Sequence, residues 1–195
     1  FSSWKSDFPL RSEPKWEEKP LNGREFVQVQ YLGEEQVLLG FRTAPRHHKD
    51  YHTLRLLDMI IDNSVAGLIN LDLVEKQKVR AAGCFPQNYN DHGIHFFYGI
   101  PKDGQSLEDV EKLLITQIES VKKGEFEDWV IPAVITDFKK QEKENRENNA
   151  KRVELMRDTF LSFVDWDTTN REIEELEKLT KEDIVRVANF YYGEK

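Results

Sequence analysis

Residues 78–100 read KVRAAGCFPQNYNDHGIHFFYGI. Two β-prone runs, Lys78 to Pro86 and Gly93 to Ile100, flank Asn88-Tyr-Asn-Asp91, a cluster of turn-forming residues. The segment His95-Phe96-Phe97-Tyr98 is aromatic-rich, and such side chains pack well on a pleated surface. Two strands joined by a short turn must pair antiparallel. Upstream, Glu25 to Leu32 alternates Phe26, Val27, Val29 and Tyr31 with Gln28 and Gln30, and Gln36 to Ala44 centres on Val37, Leu38, Leu39 and Phe41. With Gly33-Glu34-Glu35 as the turn, this predicts a second hairpin.

Between the hairpins the period changes to helical. Leu54, Leu57, Ile61, Val65 and Leu68 recur every three or four residues from about Asp50, with a break at Asn63-Ser64 and an end near Leu73. After the second hairpin, Ser106 with Asp109 predicts a helix cap, and the helix that follows stops at Gly124. A long helix is expected from near Asp128 to about Phe163, with an apolar face at Met156, Phe160, Phe163 and Val164 near its end. Two short helices close the chain, Arg171 to Lys178 and one capped by Thr180-Lys-Glu-Asp183. The fold class is therefore α+β, a largely antiparallel sheet with helices packed on one face. Residues 1–22, with Pro9, Pro14 and Pro20 among charges, read as an extended arm whose Trp4, Phe8 and Trp16 lie on the domain surface. Residues 23–195 read as one domain.

The 195 residues are 38% hydrophobic and 33% charged, enough for a packed core with long solvated helix faces. The formal charge of −8 repels phosphate and disfavours nucleic acid as a partner. One cysteine, Cys84, excludes an intrachain disulfide and a four-cysteine zinc site. No apolar run approaches the roughly 20 residues of a membrane span, and the start Phe1-Ser-Ser-Trp-Lys has no secretory-signal pattern, which reads as a processed or excised segment.

Candidate chemistry is sparse. His48 and His52 stand four apart and could share a helix face as metal ligands. The inverted zinc motif H-x-x-E-H needs Glu before the second histidine, and Tyr51 stands there, so no general base accompanies them. Surface histidines are the expected reading. Cys84 lies in a β-prone run and is expected to be a buried structural thiol. His92 and His95 are expected to be turn and strand residues, and the paired carboxylates fall on turns and polar helix faces.

Several segments in fixed order resemble the pitrilysin/insulinase family of zinc metallopeptidases, which includes the mitochondrial processing peptidases. They are Val37-Leu-Leu-Gly-Phe-Arg-Thr-Ala-Pro45, Asp50-Tyr-His-Thr-Leu-Arg-Leu-Leu-Asp-Met-Ile-Ile61, the run from Gly67 to Ala82, and Leu179-Thr-Lys-Glu-Asp-Ile-Val-Arg-Val-Ala-Asn-Phe-Tyr-Tyr192. The resemblance implies a non-catalytic domain. The zinc motif is missing, and the positions where the family's second-half domains place an Arg and a Tyr are, by register, Val74 and Ala81. Valine cannot make a charge-assisted hydrogen bond, and alanine has no phenol for a tetrahedral intermediate. The resemblance further implies zinc in a separate domain of a parent peptidase, that catalytic domain as the partner, and a share in the wall of a peptide-enclosing chamber, with weak peptide binding by this piece. It also implies that a final edge strand is missing after Tyr192, so that an open sheet edge would self-associate or be covered by the arm. Two rival readings are an independent assembly module of the same fold, like core subunits of respiratory complexes, and a hydrolase built on His48 and His52.

Overall fold

The structure, a computed structural model, describes residues 3, 5 and 19–193. Trp4, Phe8 and Trp16 of the expected arm lie outside the described residues. The chain divides into two units, Phe1–Val29 with Glu194–Lys195, and Gln30–Gly193. All regular elements belong to the second.

Three strands form one sheet: β1 (Val37–Thr43), β2 (Ala81–Asn88) and β3 (Gly93–Ile100). The order is β1-β3-β2, and both pairings are antiparallel. Residues 78–100 thus supply the hairpin that organises the sheet. Its register sets Cys84 opposite Phe97 and Pro86 opposite His95. Pro86 is compatible with β2 because that strand lies at the edge, where a missing N–H breaks no ladder.

The first expected hairpin does not form. Residues 20–36 have no regular structure. Phe26, Val27, Val29, Tyr31 and Leu32 are 73% to 96% exposed. In an extended chain Val27, Val29 and Tyr31 share one apolar face, but Phe26 and Leu32 interrupt the other beside Gln28 and Gln30, so no wholly polar face is left for solvent. Among the described residues, no strand pairs with the outer edge of β1.

Alternation along β3 divides the sheet. Gly93, His95, Phe97 and Gly99 are buried, and Ile94, Phe96, Tyr98 and Ile100 are half-buried. The buried face receives the helices. These are α1 (Tyr51–Ile61), α2 (Leu107–Lys123), α3 (Val130–Glu147), α4 (Asn149–Leu161), α5 (Trp166–Asn170), α6 (Glu172–Glu177) and α7 (Lys181–Tyr191). Leu56, Leu57, Ile60 and Ile61 of α1, Val110 and Leu114 of α2, Val134 of α3, Ile184 and Val187 of α7, and Phe97 of β3 share the core. Burying each such side chain stabilises the fold by roughly 1.5–3 kcal/mol. Helices therefore cover one face of an antiparallel sheet, as the periodicities predict.

The break after α1 falls where Asn63 was expected to place it. Asn63 Oδ1 accepts from the Val65 and Ala66 backbone N–H groups, and its amide donates to Asp137 of α3 at 2.9 Å. A short π-helical turn, Asn70–Val74, then leads to β2. The expected long helix is two helices. At Asn148 the backbone turns extended, and its side chain accepts from Lys151 N–H to begin α4. Asparagine competes with the helix through such local bonds, and the charged stretch from Lys139 to Arg152 has no apolar side chain larger than Ala150 to hold a straight rod against the core. The apolar face expected at the far end is corrected too: Met156, Phe160 and Phe163 are exposed, while Thr159 and Ser162 are the buried residues there. No helix among the described residues is long and apolar enough to cross a membrane.

Candidate functional site

His48 lies in the turn before α1, so it does not share a helix face with His52. Its Nδ1 accepts from the Asp50 N–H at 3.2 Å. His52 sits in the first turn of α1 with a buried Nδ1 that has no hydrogen-bond partner. Burial holds its pKa below the ordinary histidine value, against the raising pull of Glu172 and Glu175. Val74 ends the π turn, half-buried against the core, and Ala81 begins β2 opposite Ile100.

Near Asp50 a second polar cluster ties α7 to α1. Arg186 donates to Asp50 Oδ1 at 3.0 Å, and the Tyr191 hydroxyl donates to Oδ2 at 3.1 Å. Both Asp50 oxygens are thereby taken by α7, which marks the cluster as a structural latch.

The group that sequence reading missed is formed by Asp58, Cys84 and His95. Among the described residues it is the one set of three or more metal-competent side chains whose donor atoms all lie within 4.8 Å of one another. Each member follows from its element. Asp58 on α1 and Asp62, which caps its end, stand one turn apart, on the flank that meets β2. On β2 and β3, alternation turns Cys84 and His95 to the helix-covered face, and register makes them diagonal neighbours.

The contacts are specific. His95 Nε2 is 2.9 Å from Asp58 Oδ1, and its Nδ1 meets the Tyr192 hydroxyl just beyond α7. Cys84 Sγ donates to the same Asp58 oxygen at 3.3 Å. Asp62 Oδ2 accepts the Cys84 backbone N–H at 2.7 Å, satisfying a group on the open edge of β2. Gly83 leaves room for this contact: a Cβ at that position would stand 2.5 Å from Asp62 Oδ2 and displace the carboxylate. A carboxylate oxygen accepts, so the tautomer that fits both contacts donates Nε2–H to Asp58 and accepts the Tyr192 O–H at Nδ1.

Burial first, then Asp58 and Asp62, pushes the Cys84 thiol well above its usual range. Burial likewise raises the Asp62 carboxyl and the Tyr192 hydroxyl. A thiol held protonated beside two carboxylates, with no cation to favour the thiolate, is a poor nucleophile. What the arrangement can do is hold three elements together, or exchange its shared protons for a cation. The visible signals were Asp58 inside an apolar helix stripe and His95 at an inward strand position between aromatic neighbours.

The sequence model described as "Peptidase M16 inactive domain" matches residues 1–137. No curated protein sequence matches the chain. Among solved structures, a protease from Helicobacter pylori aligns with a TM-score of 0.77 at 22% identity, over 82% of this chain and 38% of that one. The inactive peptidase domain of a Bordetella parapertussis protein aligns at 0.67 and 14% identity, over 83% and 89%. A peptidase M16 inactive domain from Pseudomonas fluorescens aligns at 0.68 and 14% identity, over 80% and 38%. These likenesses show the fold, and the chain spans about two fifths of the Helicobacter pylori protein's length. The family description, matched over most of the chain and joined to the α+β fold, places this protein among the inactive domains of the M16 metallopeptidases, the family its motifs resemble.

Proposed function

We propose that this chain is the non-catalytic partner of a separate zinc-bearing domain in a parent metalloendopeptidase, and that it forms part of the wall enclosing the peptide. The observation that carries the reading is the match of residues 1–137 to an inactive peptidase domain. Two further features support it. The family's zinc motif has no counterpart in the chain, since Tyr51 precedes His52 where the second-histidine motif needs Glu. No step of zinc-dependent hydrolysis can be assigned to these residues, and the parent's zinc would be held by the other domain.

The second feature is the sheet face opposite the helices. Among the described residues it presents Leu38, Phe85, Phe96 and Tyr98, with the Phe85 ring tilted against Phe96 and Tyr98 at centroid distances of 5.3 Å and 6.4 Å. A partly exposed apolar sheet face of this kind suits contact with an extended peptide or with a facing domain. Peptide binding by the chain alone would be weak, because one wall immobilises a flexible ligand without enclosing it.

The test compares two materials. The full open reading frame is expected to encode an H-x-x-E-H helix outside these residues, and its product should cleave peptides in a chelator-sensitive way. The 195-residue chain alone should cleave none. Chelator-sensitive cleavage by the chain alone would overturn the proposal, as would a reading frame without a zinc-bearing domain.

A further inference from the structure

We propose that Asp58, Cys84 and His95 form a binding site for one zinc-class divalent cation, distinct from any zinc carried by another domain.

The donor set is one thiolate sulfur, one imidazole nitrogen and one carboxylate oxygen, the mixture that zinc accepts in tetrahedral sites. Zinc–ligand bonds of about 2.0 Å to nitrogen or oxygen and about 2.3 Å to sulfur imply ligand separations of roughly 3.3 to 3.6 Å. His95 Nε2 and Asp58 Oδ1 are 2.9 Å apart, and Cys84 Sγ and Asp58 Oδ1 are 3.3 Å apart. Those two pairs would need to open by only a few tenths of an ångström where an ion replaces the shared protons, and all three donor atoms already lie within 4.8 Å of one another.

Around the trio the supports are present. Tyr192 holds the far nitrogen of His95 and so aims Nε2 at the other two donors. Asp62 fixes the Cys84 backbone. Both act as positioning residues. His95 is 2% exposed, whereas the Asp58 side chain is 20% exposed and gives an ion a way in. Two carboxylates beside a thiol concentrate negative charge in a partly buried space, and a divalent cation relieves it. On binding, the Cys84 proton leaves to solvent, the His95 proton moves from Nε2 to Nδ1, and the Tyr192 hydroxyl rotates its own hydrogen away and accepts from Nδ1. One proton is released per ion.

Cobalt(II) is the probe, because its thiolate complexes absorb strongly in the near ultraviolet. Cys84 is the single cysteine, so a thiolate-to-cobalt band reports this site alone. The metal-stripped 195-residue chain should bind one cobalt with that band, lose the band on adding zinc, and show a Cys84 thiol protected from alkylation by either ion. Cys84→Ser should abolish the band. Asp58→Asn and His95→Gln should weaken zinc binding at least about tenfold, and Tyr192→Phe by roughly tenfold. His48→Ala and His52→Ala should leave binding unchanged. The unmodified chain decides the matter even where a variant fails to fold: stoichiometric cobalt without a thiolate band, or no uptake at micromolar metal, would overturn the proposal. So would binding lost on removing His48 or His52.

Discussion

Asp50 shows at the residue scale how one buried carboxylate orders its surroundings. It is 4% exposed, yet it accepts from Arg186 and Tyr191 and begins the backbone ladder of α1 by accepting Leu54 N–H. Burial and Asp50 push the Tyr191 hydroxyl from 10.0 up to about 12, while Arg186 pulls it down. The fold therefore holds that proton more tightly than the unfolded chain does. Its contribution to stability is fully present below pH 10.0 and is lost as pH rises to about 12, because the unfolded state ionises first. Tyr191→Phe should show a shallower loss of stability over that interval than the unmodified chain, read from urea midpoints at successive pH values. Equal slopes would mean that Tyr191 does not titrate through this contact. The residues responsible were only half legible. Asp50 was visible as a helix start, but its partners lie more than 130 positions away, as the 136-residue separation to Arg186 shows.

Caps were the most legible feature at the scale of the element, because they depend on neighbours three residues apart. Ser106 accepts from Asp109 N–H, and Thr180 with Asp183 forms a reciprocal capping box, both as the sequence indicates. Gly124 ends α2 in the left-handed region with φ 71°, which glycine adopts without a Cβ clash. Removing the Thr180 hydroxyl should cost about 1 kcal/mol. Thr180→Ala should lower the urea midpoint accordingly and leave Thr180→Ser close to the original. If the two variants fall equally, the hydroxyl bond contributes nothing and methyl packing accounts for the loss. Asn148 and residues 25–32 mark the other side of legibility. The first is a cap hidden inside a run that looked continuously helical. The second is an alternating run without a sheet to receive it.

At the largest scale, residues 30–193 are organised as a one-sided sheet: helices bury one face, and the other keeps Leu38, Phe85, Phe96 and Tyr98 near solvent. Leu38 is 55% exposed. Leu38→Lys should therefore change the chain's own unfolding free energy by less than about 0.5 kcal/mol, the range of ordinary surface changes. The same substitution in the parent peptidase should reduce peptide hydrolysis if this face lines the chamber. A large stability loss in the chain alone would show that Leu38 is packed there, and unchanged hydrolysis would remove the face from the peptide's path.

The sequence alone determined the local and periodic features: the caps, the amphipathic helices, the hairpin of residues 81–100 and the family to which their order points. Hydrogen bonds across three residues and burial at fixed spacing are written into neighbouring positions. Only the tertiary structure decided that Asp58, Cys84, His95 and Tyr192 meet. These side chains come from a helix, two strands and the chain's far end, 97 positions separating His95 from Tyr192. Their proximity depends on strand register and helix docking, quantities that no local pattern fixes.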